Sequence, residues 1–319
     1  MKTSLRNFKE SAVNKDICDK KLSHSLLLIS RDSYALLNYA KNLVMSLMCE
    51  SEDKPCFECA ECKKILHDNN VDVLYYPIKN EKTLNSAGIS DLIEQAFSAP
   101  YEADKKIFVI RNANSIDASM QNKLLKTLEE PPHNTYFILL ATMDNNILPT
   151  IKSRCRIVRV PSISMEEIRE ELHKNSVSDD TANLALKYCD NNCDLALKYA
   201  LNPNFKQTVE MVEDIFLKFR KSWQMLDFSS RLYKFNDNFE DIIEIFLAVI
   251  ARATQVLNGK NLDDELAKFV VQNFSIDALV NLTKECNSII EKRRRNCNFS
   301  AVVDYFLFMI LEVRHKWPI

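Results

Sequence analysis

The sequence predicts a mostly parallel α/β domain followed by an all-helical remainder, on three observations. Short β-branched and aliphatic runs alternate with amphipathic segments through the first half, the pattern of strands joined by crossover helices. After Pro161 the strand-like runs stop, and the later apolar segments repeat at three- and four-residue spacing. Only two glycines, Gly88 and Gly259, occur in 319 residues, which nearly rules out any function that depends on a glycine-rich loop.

Taken in order, strands are expected at 25–29, 71–76, 106–111, 136–141 and 156–160. They carry little polar alternation, as strands buried on both faces do. Between them, Leu36, Leu37, Ala40, Leu43, Val44 and Leu47 mark one face of a helix over 35–48. A second helix is expected at 90–98, closed by Pro100. Asp117 caps a third, which runs through Met120, Leu124, Leu125 and Leu128 to Pro131-Pro132.

The remainder reads as helices at 165–174, 180–188, 194–200, 206–225, 238–257, 262–273, 276–293 and 300–313, with Asn202-Pro203-Asn204 as a joint. The expected division is therefore 1–161 for the α/β domain, 162–202 for a small helical domain and 203–319 for a helical bundle.

Composition narrows the function. Apolar content of 46% and charged content of 27% are those of a soluble globular protein, and no stretch has the apolar length of a membrane span. No apolar signal core follows the first residues, so a cytoplasmic location is expected. A net charge of -2 argues against coating nucleic acid through bulk positive charge. The one dense basic run, Lys292-Arg293-Arg294-Arg295 beside Glu291, reads as a solvated helix face.

Ten cysteines in a long chain without an export signal point to reduced thiols. Four of them, Cys49, Cys56, Cys59 and Cys62, fall within fourteen residues. Two x2 steps in series let three thiolates converge from one turn, and Cys49 can complete a tetrahedron from the end of the preceding helix. The competing readings are a redox Cys-x-x-Cys pair and unliganded core cysteines. Four sulfurs with no water-activating His or Glu beside them favour a closed, structural zinc site. Such a site fixes a loop too short to bury a core of its own.

The ordered series His24-Ser25-Leu26-Leu27, the four-cysteine insertion, Lys106-Ile107-Phe108-Val109-Ile110, Asn122-Lys123-Leu124-Leu125-Lys126-Thr127-Leu128-Glu129-Glu130-Pro131-Pro132 and Leu148-Pro149-Thr150-Ile151-Lys152-Ser153-Arg154-Cys155 is specific. It closely resembles the AAA+ clamp-loader family of bacterial DNA polymerase III, the delta-prime subunits first and the gamma/tau subunits next. The resemblance covers about the first half of the chain. It implies a P-loop-type AAA+ domain carrying the zinc insertion, a helical lid and a C-terminal collar that assembles with gamma/tau and delta subunits. Through that complex the sliding clamp is placed on primer-template DNA.

In related ATPases the phosphate loop lies between the first strand and the next helix, where backbone N–H groups, a lysine and a hydroxyl hold phosphates and magnesium. Counted back from Cys49, that loop corresponds to residues 30–37. Its glycines become Ser30, Ser33 and Ala35, Leu36 stands for the lysine, and Leu37 for the Ser/Thr. After the third strand, Asn112 and Asn114 stand where acidic residues hold magnesium and activate water. No ATP is expected in this chain's own site.

The family's arginine finger, by contrast, is present. Arg154, flanked by Ser153 and Cys155, holds the position that in clamp loaders points at a neighbour's ATP. The alternative is that Arg154 merely pairs with a carboxylate where elements pack. The expected function is that of a non-hydrolysing clamp-loader subunit donating Arg154 in trans. A gamma-like ATPase with a degenerate site, or a zinc-containing adaptor sharing the fold, are the rival readings.

Overall fold

The computed structural model describes residues 3–77, 83–260 and 264–316. Of the helix expected at 262–273, positions 262 and 263 lie outside them. The chain forms two compact units, Met1–Lys174 with Asn191–Leu195, and Asn175–Asp190 with Ala196–Ile319.

Among the described residues, the first unit is built on five strands, β1 (Ser25–Ile29), β2 (Val73–Tyr76), β3 (Lys106–Ile110), β4 (Thr135–Ala141) and β5 (Arg156–Arg159). Their order is β2-β3-β4-β1-β5, and every neighbouring pair is parallel. β1 and β3 are buried along their whole length, which is why their sequences are continuous apolar runs. β5, at one edge, alternates partly covered and exposed residues. β2 starts two residues later than expected, and Asp72 serves the turn beside it instead. The Asp72 carboxylate accepts the backbone N–H groups of Tyr101, Glu102 and Ala103 at 2.6–2.8 Å.

Around this sheet, among the described residues, lie eight α-helices: α1 (Thr3–Lys9), α2 (Ala12–Cys18), α3 (Ser33–Met48), α4 (Ala60–Leu66), α5 (Ser86–Phe97), α6 (Ala118–Glu129), α7 (Pro149–Lys152) and α8 (Met165–Lys174). The first two were not foreseen. Each is only seven residues long, although Phe8, Val13 and Ile17 are buried. α5 begins four residues before its expected start, because the Asn85 side chain accepts the Gly88 N–H at 2.8 Å and caps it there.

The second unit is helical, as expected. It holds α9 (Asp179–Tyr188), most of α10 (Cys193–Leu201), α11 (Phe205–Leu217), α12 (Met225–Leu232), α13 (Phe239–Leu257), α14 (Glu265–Asn273), α15 (Ile276–Arg294) and α16 (Phe299–Lys316). Its centre is aromatic: Phe246 stacks on Phe216 at 4.3 Å and meets Phe306 edge-on at 5.3 Å. The helix expected over 206–225 ends at Leu217, eight residues early. There the chain turns and buries Phe219, whose ring lies 4.9 Å from Phe228 of α12. Gly259 follows α13 at φ +82°, the left-handed position a helix end favours for glycine. Among the described residues, no helix is long and apolar enough to cross a membrane.

Candidate functional site

In open α/β sheets, ligands bind outside the carboxyl ends of the strands, where the strand order reverses. Here β1 lies between β4 and β5, and residues 30–32 lead from it into α3. A helix start leaves N–H groups unpaired, and in nucleotide sites those groups face phosphates. In this chain they face carboxylates. Asp32 caps α3, accepting the N–H of Tyr34 at 3.0 Å and of Ala35 at 3.3 Å. Asp194, at the start of α10, accepts the Ser33 N–H at 2.6 Å, and Ser30 Oγ accepts that of Asp32 at 3.4 Å.

The segment 191–195 is fastened over this point. Asp32 Oδ2 accepts the Cys193 N–H at 2.9 Å, and Asn192 Nδ2 donates to the Arg31 carbonyl at 3.0 Å. Asp32 is only 1% exposed. Burial, with the nearby Asp194 charge, raises its pKa above the usual carboxylate value, although the N–H groups pull the other way. The N–H groups of Ser33, Tyr34 and Ala35 are thus all taken by carboxylate oxygens.

Ala35 and Leu36 are buried in the core, while Leu37 is 41% exposed and lines a cavity of ≈ 460 Å³ together with Tyr75 and Arg111. Arg111, at the end of β3, donates through Nη2 to the Pro77 carbonyl at 2.7 Å. Asn112 adopts the left-handed conformation at φ 52°, which asparagine tolerates. Asn114 turns inward, its Oδ1 accepting the Thr142 N–H at 3.0 Å just beyond β4.

The four cysteines converge. The Sγ atoms of Cys49, Cys56, Cys59 and Cys62 all lie within 4.8 Å of one another. Those of Cys56 and Cys62 are 4.0 Å apart. Tetrahedral zinc with Zn–S bonds near 2.3 Å sets sulfurs roughly 3.8 Å apart, so the set fits a four-sulfur metal site. Local backbone supports it. Cys49 ends α3, Cys59 caps α4 by accepting the Cys62 N–H at 3.4 Å, and Cys56 Sγ accepts the Cys59 N–H at 3.3 Å. Those backbone donors, from Cys59 and Glu58, lower the Cys56 thiol to about 6. Burial raises Cys49 and Cys62, a cost that a bound cation offsets.

Arg154 sits on the turn after α7. Cys155 points inward, 7% exposed, its thiol pushed up to about 12 by burial. Ser153 Oγ donates to the Thr150 carbonyl at 3.0 Å. Arg154 reaches outward, and its Nε and Nη2 donate to Glu129 Oε2 at 3.2 and 3.1 Å. Nη1 donates to the Thr150 carbonyl at 3.1 Å. Two of the blocks that carry the sequence resemblance, one ending α6 and one spanning α7 and the turn after it, thus meet in an ion pair. With both side chains partly exposed it contributes about 0.2–1 kcal/mol.

Sequence reasoning passed over Asp32, Asp194 and Glu129. An aspartate directly ahead of an amphipathic helix is a cap signature, so Asp32 was within reach. The other two act through partners distant in the chain.

The first unit is thus a five-stranded parallel α/β sheet with a strand–loop–helix at the reversal of strand order and Arg154 on the turn before its last strand. The family described as DNA polymerase III, delta subunit, matches residues 6–164. The chain belongs to this family. Over 92% of each sequence it is 25% identical to the DNA polymerase III subunit delta' of Bacillus subtilis. To the subunit tau of the same organism it is 31% identical, over 50% of this chain and 28% of that protein. A gamma subunit-related protein from Thermotoga maritima superposes over 98% of this chain and 99% of its own, at 17% identity and a TM-score of 0.44.

Proposed function

We propose that this chain is a non-hydrolysing subunit of a DNA polymerase III clamp loader. It supports ATP-dependent loading of the sliding clamp on primer-template DNA by lending Arg154 to a neighbouring gamma/tau-type ATPase subunit. The observation that carries this reading is the amino end of α3, where Asp32, Asp194 and Ser30 take the N–H groups that would otherwise hold phosphates. Leu36, Leu37, Asn112 and Asn114 support it, since none supplies the cation, hydroxyl or carboxylate that hydrolysis requires.

In this reading the four cysteines hold one structural zinc. Residues 162–202 act as the lid, and 203–319 as the collar that joins gamma/tau and delta subunits. The clamp and DNA are engaged through the complex, in the cytoplasm.

The test is reconstitution with gamma/tau and delta-type partners, followed by DNA-stimulated ATPase measurement. The isolated chain should bind no ATP at millimolar concentration. Arg154→Ala should assemble normally, yet turnover at the site it completes should fall by about 10³-fold or more. The complex would then lose that site's share of its activity. Tight nucleotide binding by the isolated chain, or unchanged turnover with Arg154→Ala, would overturn the reading.

A further inference from the structure

We propose that Glu129 is the positioning residue that holds Arg154 ready for a neighbouring subunit, an inference that rests on reading Arg154 as acting in trans. A guanidinium carries five N–H donors in one plane. Three are engaged here: Nε and one Nη2 hydrogen by Glu129 Oε2, and one Nη1 hydrogen by the Thr150 carbonyl. One hydrogen remains on each Nη, and the side chain keeps 31% of its surface exposed. Two donors on the two terminal nitrogens match two oxygens of a single phosphoryl group. Glu129 therefore grips the arginine by the Nε edge and leaves donors at the end that a phosphate needs.

The ground beneath the pair is rigid. Leu128 and Cys155, the chain neighbours of Glu129 and Arg154, are both buried in the same hydrophobic cluster. Pro131 and Pro132 lie just beyond the end of α6, and Pro149 opens α7. The Thr150 carbonyl is also fixed by Ser153 Oγ. An arginine on this turn without Glu129 would have to surrender its rotamer freedom on meeting the phosphate. With Glu129 that ordering is already complete.

A carboxylate that merely sequestered the arginine would predict the opposite outcome, because its removal would release Arg154 and speed hydrolysis. The experiment compares Glu129→Ala, Glu129→Gln, Arg154→Ala and the double variant, each assembled with gamma/tau and delta-type partners. DNA-stimulated kcat and KM for ATP are measured for every complex. Glu129→Ala should lower kcat at the completed site roughly 10-fold or more, with KM unchanged. Glu129→Gln, which keeps one acceptor oxygen, should recover part of that loss. The double variant should be no slower than Arg154→Ala alone, as expected of two residues acting as one unit.

Equal or faster turnover in Glu129→Ala, or additive losses in the double variant, would remove the positioning role while Arg154→Ala still slowed the complex. Full activity in Arg154→Ala would remove the trans reading and this inference together.

Discussion

Asp32 is a carboxylate at the amino end of α3, where it accepts the N–H groups of Tyr34 and Ala35 in the first turn. The substitution Asp32→Ala removes that cap and also the carboxylate that accepts the Cys193 N–H. The combined cost should be about 1–3 kcal/mol, read from urea denaturation. ATP binding should still be absent, because neither Leu36 nor Leu37 can take over the missing contacts. The absence of a glycine loop ahead of α3 was legible in the sequence. The carboxylate that takes the Ser33 N–H was not, since Asp194 lies 161 residues from its Ser33 partner. Arg154 was found by its neighbours in sequence, whereas its Glu129 partner needed the fold.

At the scale of elements, the cysteine module shows how two helix ends can bring candidate metal ligands together. Cys49 closes α3 and Cys59 opens α4, so a metal between them would staple two helices that are otherwise joined by a short loop. Metal analysis should find one zinc per chain. Cys62→Ala removes a fully buried ligand. A loss of about 3 kcal/mol in a unit of this size lowers the thermal midpoint by roughly 6–12 °C, measurable by calorimetry. An unchanged midpoint with and without chelator would count against the metal. The ligand spacing was readable because it is local. α4 was not, being seven residues long and rich in Glu61, Lys63 and Lys64. The break after Leu217 was hidden for a related reason: the apolar period continues through Phe219, and only packing against Phe228 shows where the helix stops.

Across the whole molecule, acid should act through four carboxylates. Burial pushes Asp72, Glu167, Asp214 and Asp264 upward, but their partners outweigh it and hold each below its ordinary value. For Asp264, those partners are Arg252, Lys187 and the Ala267 N–H that it caps at α14. A group depressed in the folded state stabilises above its unfolded pKa, and that contribution is lost as pH falls through the folded value. For these groups the window opens below 3.8 for the aspartates and 4.5 for Glu167. Asp32, whose pKa is raised by burial, works in the opposite sense. Melts between pH 6 and 3 should show a steep loss of stability below about pH 4, and Asp264→Asn should flatten part of it. Half of the basic run is engaged: Arg293 donates to Asn236 and Lys292 lies over the Tyr305 ring at 3.8 Å.

The closed amino end of α3 has a thermodynamic consequence. A protein that binds a ligand only when folded gains RT ln(1 + [L]/Kd) of stability from it, so its folding follows the ligand's concentration. On the function proposed above, a chain that takes the first N–H groups of α3 with Asp32 and Asp194 is released from that linkage. Its folding free energy would then be the same in a starved cell as in an energised one, and it could be built, stored and assembled without reference to the ATP supply that drives its neighbours.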